Sequence, residues 1–160
     1  MLRFFSPLEI NADFERREYG LGDTVEVHVA LKARASVHVA QGRVELVCRE
    51  RFHEVHTVMV PASRPVVPAR FGGPQLPQIR IPKRVTEEFK STSVHSQEVF
   101  LADASLPKGA SETFEVRLCI EEDLPPYADR GGTVRWRLAV SVEQESGMVV
   151  SREKRILVTC

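Results

Sequence analysis

The chain has 160 residues, 42% of them hydrophobic and 28% charged, and its 22 basic side chains balance 22 acidic ones. That length suits a single domain with a sizeable core, while a formal net charge of +0 removes any global attraction to nucleic acid or an anionic membrane and leaves room only for weak, local contact with a membrane surface. Cys48, Cys119 and Cys160 lack Cys-x-x-Cys spacing, and no signal-peptide pattern or bilayer-length apolar run is present, so a cytoplasmic setting is expected.

Leu2 to Ile10 is apolar but interrupted by Pro7, which predicts an edge strand with its missing donor turned outward, followed by a charged approach from Asn11 to Tyr19. Val25, Val27, Val29 and Leu31 alternate with Glu26 and His28 and define one inward face. Val37 to Val60 predicts a long strand or a strand pair in which Gly42 marks a bulge or a turn. Val44, Leu46 and Cys48 share its core face. Between Arg49 and His56 the alternation weakens, as at a solvated edge or a hairpin bend.

Residues 61–90 differ in kind. Pro61, Pro65, Pro68, Pro74, Pro77 and Pro82 fall here, with Gly72 and Gly73, so a long Pro-rich loop without a lasting regular element is expected. Val85 and Phe89, four apart, suit one or two helical turns. The basic residues of the segment outnumber Glu87 and Glu88. A loop that cannot pair its backbone in a ladder lies where water can do so, which makes Arg64, Arg70, Arg80, Lys83 and Arg84 candidate partner-binding residues. Read without a partner, the same stretch is a long solvated insertion.

Strand character returns from Thr92 to Ala102. Phe114, Val116, Leu118 and Ile120 then alternate with polar residues, as do Val134, Trp136, Leu138, Val140 and Val142. Between these strands Pro125-Pro126 forbids a shared ladder and Gly131-Gly132 permits a sharp reversal, so the connection is a crossing to a second sheet and not a tight hairpin. Glu143 to Gly147 reads as a hairpin loop, and Met148 to Thr159 as a last strand with Val150, Ile156 and Val158 inward. Tyr19 and Tyr127 fall at strand-connecting turns. About seven to nine strands at this spacing predict an all-β, two-sheet antiparallel sandwich of immunoglobulin-like build spanning residues 1–160. Its expected core holds Val25, Val27, Val29, Val44, Leu46, Phe114, Val116, Leu118, Val134, Trp136 and Leu138.

Two runs carry a family resemblance. Tyr19-Gly20-Leu21-Gly22-Asp23-Thr24-Val25-Glu26-Val27-His28-Val29-Ala30-Leu31 resembles the opening strand of an arrestin amino-terminal domain, with His28 where glycine is usual. Leu106-Pro107-Lys108-Gly109, Phe114 to Leu118, Leu124-Pro125-Pro126-Tyr127 and Gly132 to Val140 resemble its closing strands in order, with Trp136 where tyrosine is usual. The resemblance extends to bacterial sporulation-control arrestin-like proteins and retromer cargo subunits. It implies an adaptor or scaffold that holds a protein or peptide through sheet edges and loops, with assembly of like chains through those edges as a further route.

Catalytic patterns fail on spacing. His53-Glu54-Val55-His56 sets its imidazoles three apart, where a zinc helix needs four, and on a strand they fall on opposite faces, so no metal is expected. Glu121-Glu122-Asp123 reads as a solvated turn because calcium loops space their ligands alternately. Gly72-Gly73 is not followed by Lys-Ser or Lys-Thr, and Ser93, Ser96 and Ser105 lack a nucleophile elbow, so neither an enzyme nor a cofactor is expected. A carbohydrate-binding sandwich is the alternative. Its platform would need exposed aromatics, and the single tryptophan is placed inward.

Overall fold

Eight strands appear in the computed structural model, which describes residues 6–62 and 79–160. They are β1 (Leu8–Phe14), β2 (Glu18–Gly20), β3 (Thr24–Ala33), β4 (Val37–Pro61), β5 (Arg80–Leu106), β6 (Ser111–Cys119), β7 (Thr133–Gln144) and β8 (Val149–Thr159). One sheet has the order β1-β3-β6 and the other β2-β8-β7-β4-β5. All pairings are antiparallel except that of β2, which runs parallel to β8. This is the expected all-β two-sheet sandwich, and the chain crosses between its sheets where the prolines require it: β6 closes the smaller sheet, and β7 opens in the larger.

The core lies between the sheets and is built from period-two faces. Val25, Val27 and Val29 meet Val44, Leu46, Val116, Leu118, Trp136 and Leu138, all buried, while Phe114 and Val134 close the margin half-buried. Cys48 is buried among them, and Cys119 faces solvent. Of the bulge and the turn expected at Gly42 it is a bulge that forms: the β4–β5 register shifts there with Phe100 as the extra residue on β5, and a Cβ on Gly42 would lie 2.8 Å from the Phe100 ring. The β7–β8 hairpin turns through Gly147 at φ 86.

Several elements differ from the expectation. The first strand runs on to Phe14, so Asn11 to Asp13 pair with β3 where a charged approach was expected. Tyr19 lies within β2, 2% exposed, with its hydroxyl donating to the Glu15 carbonyl at 2.7 Å and the Arg17 guanidinium 4.1 Å from its ring centroid. Between Arg49 and His56 there is no hairpin bend: β4 continues without interruption to Pro61, and past Arg51, where β7 no longer pairs with it, it is a solvated edge.

The largest correction concerns residues 61–90. Arg80 to Lys90 belong to β5 and pair residue for residue with Arg51 to Pro61, so Val85 and Phe89 are strand residues and not part of a helical turn. The physical reason lies in the direction of the backbone groups. Ala62 N–H donates to the Ile79 carbonyl at 2.8 Å, so along the unbroken register from there the even residues of β4 and the odd residues of β5 bond each other. Pro61 and Pro82 therefore turn their donorless nitrogens away from the ladder and cost it nothing. Arg64 and Arg70 lie outside the described residues.

Candidate partner-binding site

Past the point where β7 begins, opposite Arg51, β4 and β5 pair only with each other and form a two-stranded ribbon that runs beyond the sandwich. Its inner face continues the core face of Leu46 and Cys48. In register it presents Phe52 with Phe89, Glu54 with Glu87, His56 with Val85, Val58 with Lys83, and Val60 with Ile81. The outer face pairs Arg51 with Lys90, His53 with Glu88, Val55 with Thr86, Thr57 with Arg84, Met59 with Pro82 and Pro61 with Arg80.

The crossing after β6 clamps the root of this ribbon. Glu121 is held by β5: its N–H donates to Ser96 Oγ at 3.1 Å, and its carbonyl lies 2.9 Å from His95 Nε2. Tyr127 stacks on Phe52 with ring centroids 4.9 Å apart, and Phe52 stacks in turn on Phe89 at 5.4 Å. The backbone N–H of Tyr127 donates to Oε1 of Glu50 at 3.0 Å, and Glu50 is 3% exposed, a carboxylate committed to holding the crossing. Arg130, at the end of a short 3-10 turn (Ala128–Arg130), donates to Glu54 at 3.0 Å. Gly132 then lies so close to β4 that a Cβ would fall 2.1 Å from the Arg51 carbonyl oxygen.

Beyond the clamp the ribbon is open. Val55, Val58, Met59, Ile81 and Phe89 are exposed. His56 sits between Glu54 at 3.6 Å and Glu87 at 3.3 Å on the inner face. On the outer face the hydrogen bond from Arg51 holds the Glu88 carboxyl below the usual carboxylate range, with Lys90 Nζ 3.8 Å away. Of the sequence-predicted site residues, Arg80, Lys83 and Arg84 are exposed on β5, and among the described residues they make no ion pair. They do not form one patch. Arg80 and Arg84 occupy the outer face and Lys83 the inner.

Sequence reasoning missed Phe52, Phe89, Tyr127 and Glu50 as a unit. A signal was present: Val85, Glu87 and Phe89 alternate with period two, mirroring Phe52, Glu54 and His56 across the proline-rich stretch. Among the described residues no group of three or more His, Cys, Asp or Glu side chains is placed to hold a metal ion, and no helix is long and apolar enough to cross a membrane.

Sheet order, crossing and core together define an all-β sandwich of two sheets. The solved structure of Spo0M, a sporulation control protein from Bacillus subtilis, has a similar fold, with a TM-score of 0.55 at 14% identity over 98% of this chain and 51% of that one. The chain thus spans about half the length of that protein. No protein-family model matches the sequence, and no curated protein matches it.

Proposed function

We propose that this chain is a non-catalytic protein-interaction module of arrestin-like type, a single sandwich spanning residues 1–160 in the cytoplasm, that holds a protein or peptide partner by its sheet edges and the β4–β5 ribbon. The observation that carries the reading is the ribbon itself. Past Arg51 both of its edges are unpaired among the described residues, and Val58, Met59, Ile81 and Phe89 are exposed on it, the features of strand addition and apolar anchoring. Arg80, Lys83 and Arg84 supply the charge that orients such a partner, acting over a screening length of about 8 Å at physiological ionic strength. The fold shared with a sporulation control protein supports a regulatory role over a chemical one. A carbohydrate platform draws no support from Trp136, which is 4% exposed.

The test compares the parent with the charge reversal of Arg80, Lys83 and Arg84 as baits in a native lysate. Exposed substitutions change stability by about 0.5 kcal/mol, so the sandwich stays folded. Recovery of the partner should fall at low salt, and the difference should narrow as salt rises. Equal recovery by both baits at every salt concentration removes these residues from the site and points to the free edge of β1.

A further inference from the structure

We propose that the outer edge of β5 from Arg80 to Lys90 pairs with the same edge of a second copy of this chain, antiparallel about a two-fold axis at Val85. The inference rests on the ribbon being an interaction element, and it names the partner. β5 is the last strand of its sheet, and within the ribbon the even-numbered residues of β5 direct their backbone groups away from β4. Arg80, Arg84, Thr86, Glu88 and Lys90 therefore offer both N–H and C=O to that side, and Pro82 its carbonyl alone. A two-stranded ribbon is marginal in water, and further strands on an apolar face stabilise it.

The side chains select the register. With the inner faces of both ribbons on one side, a two-fold axis at Val85 sets Ile81 against Phe89 of the second copy, Lys83 against Glu87, and Val85 against Val85. Apolar residues then meet apolar ones, and cation meets anion, twice over by symmetry. These are the non-hydrogen-bonded pairs, in which side chains approach most closely, while Arg84 and Thr86 exchange both backbone bonds. A shift of two residues either way would set Lys83 against Phe89 or Val85, and Glu87 against Val85 or Ile81, so charge and apolar matches are lost together. On the outer face Pro82 meets Glu88, Arg84 meets Thr86, and Arg80 meets Lys90, a like-charge pair at the open ends where solvent screens it. The overlap fits the ribbon's length. Arg80 of one copy reaches Lys90 of the other, where β7 joins β4, so the two sandwiches stand at opposite ends of a four-stranded array.

Sedimentation velocity of the purified full chain should show a concentration-dependent monomer–dimer equilibrium. Lys83→Glu and Glu87→Lys should each weaken it about tenfold, because each reversal sets two like-charge pairs across the axis. The double variant K83E/E87K re-forms opposed pairs and should return to the parent affinity. Circular dichroism checks that each variant is folded. In a Cys119→Ser/Cys160→Ser background, Val85→Cys should cross-link on mild oxidation, since directly opposed non-hydrogen-bonded residues suit disulfide geometry, and Thr86→Cys, opposed to Arg84, should not. A parent that stays monomeric to millimolar concentration overturns the proposal, as does a double variant no tighter than the single ones, or equal cross-linking at both positions. If the parent is monomeric but its lysate binding still responds to reversal of Arg80, Lys83 and Arg84, the second copy is excluded and the interaction reading stands. A dimer whose lysate binding ignores that reversal keeps the second copy and removes these three cations from the capture of any other partner.

Discussion

Burial and a neighbouring carboxylate act in the same direction on Cys48. Its thiol is pushed up to about 12, chiefly because a thiolate would be desolvated between the sheets and further because the Glu50 carboxylate is close. Cys119, at the end of β6, is exposed. With a thiol reagent near neutral pH, Cys119 should therefore label in the native protein and Cys48 only after denaturant unfolds the sandwich. Mass-resolved labelling reads the difference. Rapid native labelling of Cys48 would mean that β4 opens locally, and the placement of Glu50 beside it would have to be revised.

At the scale of elements, the crossing acts as a staple on the ribbon. Its exposed ion pair, Arg130 with Glu54, is worth little in water, so the hold comes from Tyr127 on Phe52, the Glu50 hydrogen bond and the close approach of Gly132. Gly132→Ala places a methyl group against the Arg51 carbonyl, a backbone atom that cannot swing aside. The substitution should cost about 1–3 kcal/mol. Hydrogen exchange should localise the effect, with the amides from Phe52 to Val60 losing protection before those of β3. Uniform loss across both sheets would show that the ribbon and sandwich unfold as one unit.

For the whole molecule, the two sheets meet through side chains from β3, β4, β6 and β7, and Trp136 is the largest of those predicted for the core. It is 4% exposed and meets the His95 ring edge-on at 5.0 Å. Trp136→Ala should destabilise the sandwich by about 3–5 kcal/mol, a large share of the roughly 5–15 kcal/mol typical of a domain. Urea denaturation followed by far-UV circular dichroism measures this without relying on tryptophan fluorescence. A loss below about 1 kcal/mol would remove Trp136 from the shared core.

The amino-acid sequence by itself determined the strands that carry the core, β3, the first half of β4, β6 and β7, and which of their faces turn inward, because a period of two is a local property that each strand carries alone. It also determined that no tight hairpin joins β6 to β7, since Pro125 and Pro126 lie in the long connection between them, and the tertiary structure decided that the two strands belong to different sheets. Only the tertiary structure decided the burial of Tyr19, which depends on β2 finding β8 from the far end of the chain. The ribbon was decided in the same way. A proline in isolation reads as a breaker, and whether Pro82 breaks β5 depends on which side of the strand its nitrogen faces, which is settled by a partner strand some twenty residues distant. For that reason Arg80, Lys83 and Arg84 were identifiable as exposed cations in the sequence, while their division between two faces, and the Phe52, Phe89 and Tyr127 stack at the ribbon's root, came from pairing over long separations.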